Sequence, residues 1–164
     1  MNLKAKYLVG IVCTLMLMIS GQATADIARG QTAILKGQFT KAFKEFKEDA
    51  EKGDPRAMEA VAVMLHMGEG VKQDLKKALS WYRKAAEKGD VAGMANVGIM
   101  YFKGAGTIQS DVQAYAWLDV ASYMRGGKEH NIKARVVEYL SPGQLKEAKA
   151  LAKQYRQMYA NFKR

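Results

Sequence analysis

Two histidines, His66 and His130, a single cysteine, Cys13, and a scatter of carboxylates are the side chains of this 164-residue chain with the most chemical potential. A zinc site needs three or four convergent His, Cys or carboxylate ligands, and a nucleophile needs a base within hydrogen-bond reach. The histidines lie on separate segments with no paired-His or Cys-x-x-Cys spacing around them, so each reads as a surface or groove residue. Asp74 and Asp111 stand just before apolar-periodic stretches, the place of a helix cap rather than of a general base. Gly68-Glu69-Gly70 and Gly104-Ala105-Gly106 lack the longer glycine pattern and the lysine of a phosphate loop, and helix exits explain them. These spacings predict no catalytic residue, no metal site and no cofactor.

The elements behind those residues are repetitive. Residues 53–89 recur directly at an offset of 36: Gly53 falls on Gly89, Asp54 on Asp90, Met58 on Met94, Val61 on Val97, Gly68 on Gly104, Gly70 on Gly106, Ala78 on Ala114, Trp81 on Trp117 and Ala85 on Ala121. A period of this length marks stacked units that bury their apolar faces only against one another. Within the first unit Asp54 and Pro55 open a helix, Ala57, Val61, Met64 and Leu65 recur at helical spacing, and the paired glycines close it. Leu75, Ala78, Leu79, Tyr82, Ala85 and Ala86 give the second helix the same spacing. The second unit repeats this over 92–103 and 112–124. Upstream, Ala42, Phe46 and Ala50 align with Ala78, Tyr82 and Ala86, so 26–53 is expected to be a degenerate first unit. Downstream, a helix is expected from about Glu129 to Leu140, and Ser141-Pro142-Gly143-Gln144 opens another with a capping box. The expected fold is all-α: a right-handed solenoid of antiparallel helix pairs, two full repeats over 54–125 and a C-terminal capping helix pair over 126–164.

In its GD-x-x-A, G-x-G-V-x-x-D and A-x-x-W-Y-x-x-A-A stretches, followed by Gly89, the chain resembles the Sel-one-like repeat family, relatives of the tetratricopeptide repeats. The resemblance spans Ala42 to Ala121 and departs at Gly93, Thr107 and Asp111. It implies an α-solenoid whose inner face holds other proteins, often as an adaptor in envelope assembly, signalling or host interaction.

The first 25 residues read as an export signal: Lys4 and Lys6, an apolar run from Tyr7 to Ile19, then Ala23-Thr24-Ala25 in small-x-small order. Cleavage after Ala25 removes Cys13, leaving packing alone to hold the fold and a periplasmic or secreted protein that is not integral to a membrane. The formal net charge is +10, and residues 125–164 contribute 10 basic and 3 acidic residues to it.

Two surfaces stand out. With Val61 in the core, the other side of its helix carries Glu59, Val63 and His66, and the repeat offset adds Ala95, Ile99 and Phe102. Val63, Ile99 and Phe102 are either the apolar floor of a partner-binding groove or packing between units. Lys146, Lys149, Lys153 and Arg156 recur along one face of the last helix, a solvated face or a contact for an anionic envelope component. No aromatic residue interleaves with them to stack bases, and nucleic acid is a poor partner for an exported chain. The expected function is an exported scaffold that holds a protein or peptide in the repeat groove. The alternative is a β-lactamase or penicillin-binding activity linked to cysteine-rich relatives, whose paired cysteines and serine-lysine arrangement are missing here. Intact-mass measurement of the exported protein should return a chain beginning at Asp26; an uncut chain in the membrane fraction would replace the soluble module with an anchored one.

Overall fold

The computed structural model of the protein describes residues 27–128 and 130–162. The expected export signal, residues 1–25, lies outside the described residues. Eight α-helices occur among those described: α1 (27–35), α2 (Phe39–Glu51), α3 (Pro55–Met67), α4 (Leu75–Glu87), α5 (Val91–Lys103), α6 (Asp111–Met124), α7 (Asn131–Val137) and α8 (Pro142–Tyr159), with a 3-10 turn over Ala160–Phe162. From α2 to α6 each helix packs on the next, and α7 and α8 both close on α6. The protein is an all-helical solenoid of consecutive helix pairs.

Each helix start follows from a short polar side chain. The Asp54 carboxylate accepts the backbone N–H of Arg56 at 2.8 Å, with Pro55 following, and Asp74 accepts that of Lys77 at 2.9 Å. Asp90 accepts from Gly93. For α6 the expected cap was Asp111, and the structure corrects this: Ser110 is the N-cap, its hydroxyl accepting from Gln113 at 3.3 Å, while Asp111 is the first helical residue. Ser110 lies 36 residues after Asp74, so the repeat register holds through the loop and only the side chain has changed. Ser141 and Gln144 form the expected reciprocal capping box. Helix α7 is shorter than the 129–140 expected from its pattern, and Glu129 lies outside the described residues. His130 caps α7 by accepting the N–H of Ile132 at 3.3 Å, and after Val137 the chain tightens into i→i+3 bonds at Tyr139 and Leu140.

Helix α4 ends in the hydrogen-bond pattern of a left-handed exit. Asp90 N–H reaches the Ala85 carbonyl at 3.0 Å, Gly89 N–H reaches that of Ala86 at 2.9 Å, and Gly89 has φ +86°. One core runs along the repeats through Ala42, Ala57, Val61, Ala78, Tyr82, Ala85, Met94, Val97 and Met100, all buried. A second joins Ala114, Tyr115, Ala116 and Leu118 of α6 to Val136, Ala148 and Ala152 of the cap. Of the methionines on the two first helices, Met58, Met64, Met94 and Met100 fill the core, and Met67 is exposed. Among the described residues no helix is long and apolar enough to cross a membrane.

The loops after α3 and α5 lie on the backbone of the preceding unit. A Cβ on Gly106 would stand 2.4 Å from the Leu75 carbonyl oxygen, whereas one on Gly37 would meet nothing within 4 Å, although both have φ near +70°. Gly37→Ala should therefore cost only the left-handed backbone penalty, about 1 kcal/mol, and Gly106→Ala should cost roughly 2 kcal/mol more because backbone must move. Urea denaturation of the two variants checks this; equal losses would mean that the loop does not press on α4.

Candidate functional site

Helices α3 and α5 carry the six side chains assigned to the groove, and all six are half-buried. They do not form one uniform surface. Val63 and Ala95 pack against the core of the repeats, while Ile99 and Phe102 pack against the second core, toward the cap. Phe102 meets Tyr139 edge-on at 5.6 Å between ring centroids, and the Arg135 guanidinium sits 5.9 Å from its centroid. The segment around α7 therefore covers the far end of this face. His66 stands edge-on to the Tyr82 ring at 6.3 Å.

The polar centre of the face is Glu59. Asn96 on α5 donates its side-chain N–H to the Glu59 carboxylate across the unit boundary at 3.5 Å, and no cation pairs with this carboxylate among the described residues. Burial, reinforced by the charge of Asp90, raises the Glu59 pKa. Burial raises that of Asp90 as well, against the lowering effect of the Gly93 and Ala92 backbone N–H groups, with Asp54 adding to the rise. Burial and then Glu59 push the Tyr82 phenol up. Asn96 and Tyr82 are the members that residue patterning missed. Asn96 is a polar residue at the repeat position held by Ala60, which is a signal only when the units are laid side by side.

Lys146, Lys149, Lys153 and Arg156 are all exposed on α8. They flank the packed side of α8, formed by Leu145, Ala148, Ala152, Tyr155 and Tyr159, which brings one of them to a buried acid. Arg156 Nε donates to Asp119 Oδ2 at 2.7 Å, and Lys133 Nζ from α7 reaches Asp119 Oδ1 at 3.2 Å. Asp119 is only 2% exposed, so this carboxylate ties both cap helices to α6. Lys149, Lys153 and Arg156 border an open cleft of about 470 Å³ beside Tyr115 and Asp119. His130 is taken up by its capping bond, and burial followed by the Arg125 charge lowers its pKa. No group of three or more His, Cys, Asp or Glu is placed to hold a metal among the described residues.

Comparison with known proteins agrees with this geometry. The model of the Sel1 repeat matches residues 55–90 and 91–124. Among solved structures the chain is similar to a protective antigen present in uropathogenic Escherichia coli strains that displays an SLR fold, with 32% identity and a TM-score of 0.77 over 88% of this chain. It spans only 32% of the length of that antigen. It is also similar to a Sel1 repeat protein from Oxalobacter formigenes, with 28% identity and a TM-score of 0.58, covering 65% of this chain and 88% of the other. No curated protein matches it.

Two expectations follow from the contacts. Because the folded-state pKa of Glu59 is raised, the folded chain holds this proton more tightly, and stability is lost as pH rises from the unfolded value of about 4.3 through the raised one. Glu59→Gln should thus raise the melting temperature near pH 7 and leave it unchanged below about pH 4. Phe102→Ala should lower stability by about 2 kcal/mol, since a ring packed between α5 and the cap is removed. An unaltered melt would place Phe102 on a free surface instead.

Proposed function

The chain is a Sel1-like repeat helical protein, and on that premise we propose that it is an exported interaction module that holds a basic segment of a partner protein along the seam of α3 and α5. Sel1 repeats generally mediate protein–protein interaction and are typically scaffolds rather than enzymes. The observation that carries the finer reading is Glu59: a half-buried carboxylate at a unit boundary, held by one amide and matched by no cation. Leaving a charge partly desolvated costs stability, and an incoming Lys or Arg side chain would recover that cost as binding energy. Val63 and Ala95 beside it supply apolar contact for the neighbouring residues of the segment. Ile99 and Phe102 serve the reading less directly, since they support the wall next to the cap. If residues 1–25 are removed as the export signal that their Lys4, Lys6, apolar run and Ala23-Thr24-Ala25 lead us to expect, the module would act in the periplasm or outside the cell, as an envelope adaptor.

A synthetic peptide array tests this. The protein should retain peptides that carry Lys or Arg flanked by apolar residues, and Glu59→Gln should abolish the basic preference, with a loss on the order of tenfold in affinity, as for a charge-assisted hydrogen bond. Retention of the same peptides by Glu59→Gln would sink the proposal. In parallel, Lys146, Lys149 and Lys153 changed together to Gln should leave peptide retention intact; its loss would move the partner, as an anionic envelope component, to the basic face of α8. Hydrolysis of nitrocefin by the purified protein would instead favour the β-lactamase alternative.

A further inference from the structure

Helices α4 and α8 face each other across an open cleft of about 380 Å³ that shares no residue with the α3–α5 seam. Its walls carry Arg83, Glu87, Tyr101, Gln113, Trp117 and Tyr155. Arg83 and Glu87 stand four residues apart on one side of α4, yet they make no ion pair with each other or with any described residue. Arg83 instead turns to Tyr101, donating to its hydroxyl with the guanidinium 5.5 Å from the ring centroid. The arginine-first order makes this i,i+4 pair the weaker one, and the aromatic partner prevails. The cleft therefore presents one uncompensated cation and one uncompensated anion a helical turn apart. Its aromatic side is built from Trp117 and Tyr155, 4.8 Å between centroids, with the Tyr155 hydroxyl donating to Gln113 at 3.0 Å. The Trp117 indole N–H is buried and has no acceptor among the described residues, an unusual state for so strong a donor.

We propose that this cleft binds a short unblocked peptide of dipeptide size, its carboxylate on Arg83, its ammonium on Glu87 and its apolar side chain against Trp117 and Tyr155. Four helical residues advance about 6 Å, and two extended residues span at most about 7 Å, so the termini of a dipeptide match the separation of the two charges along α4. A ligand carrying only one charge would leave the other protein charge opposed to nothing.

Titration calorimetry with phenylalanyl-alanine, its N-acetyl form and its C-terminal amide is the test. The free dipeptide should bind one to one, and blocking either end should weaken binding at least tenfold. Arg83→Gln and Glu87→Gln should each do the same; Glu87→Gln should leave the thermal melt unchanged because its side chain is exposed, and Arg83→Gln should lower it only slightly, through the lost Tyr101 contact. Glu59→Gln should bind the dipeptide normally, so failure of the groove reading and failure of this one are told apart. Absence of saturation at millimolar dipeptide, equal binding of the blocked forms, or loss of binding in Glu59→Gln would each overturn the assignment.

Discussion

Among the described residues, two equivalent loops press their peptide backbone on that of a neighbouring helix, and the distance between the units depends on that contact. A Cβ on Gly70 would fall 2.3 Å from the carbonyl carbon of Phe39, and one on Gly106 would fall 2.4 Å from the carbonyl oxygen of Leu75. Both pairs are the same contact moved on by 36 residues: the loop that leaves a first helix lies on the opening turn of the second helix before it. With the loops so close, the helices can meet only through small side chains. Ala42, Ala78 and Ala114, one per unit, are wholly buried at equivalent positions. Gly93, where the chain departs from the repeat resemblance, continues the logic, since a Cβ there would lie 2.9 Å from the Tyr82 carbonyl oxygen. Tight packing of this kind makes each methyl group count.

A stack built this way must still stop, and it stops by surrounding α6. Every residue from Ala114 to Ser122 is buried, because α5 covers one side while α7 and α8 cover others. In α2 and α4 the positions equivalent to Asp119 are Lys47 and Arg83, both exposed. Exchanging an exposed cation for a buried anion requires compensation, and the cap supplies it with Lys133 from α7 and Arg156 from α8. A buried charge that loses its partner is strongly destabilising, so the network specifies where the cap sits more than it adds net stability. At the end of α8 Tyr159 meets Phe162 of the following turn, and the Phe162 ring lies against the Gly89 turn.

Neither candidate surface depends on a constellation of reactive groups. Each comes from a polar or aromatic side chain caught at a boundary between elements: Glu59 and Asn96 between α3 and α5, Trp117 and Tyr155 between α6 and α8. Partial burial withholds water from groups that the fold does not otherwise satisfy. Such surfaces favour binding over bond making.

Helix pairs, caps and core were legible in the amino-acid order alone, because they are local: Asp54 accepts the N–H groups of Arg56 and Ala57, two and three residues on, and the 36-residue recurrence of alanine, valine and methionine marks the buried face without knowledge of the neighbours. Where a position is decided by a distant segment, the order of residues was silent or misleading. Ser110 was passed over as a cap because Asp111 stood beside it, and only the geometry of the loop selects between them. Along α5 the order of residues leaves Ile99 and Phe102 open between a groove floor and packing between units, and it took the placement of Tyr139 and Arg135, some 35 residues later, to cover Phe102. Arg156 reads as one of four equivalent cations on a helix face until Asp119 is brought beneath it. Hydrogen bonds within a turn are encoded by adjacent residues, whereas desolvation and charge pairing between units exist only once the chain has closed on itself.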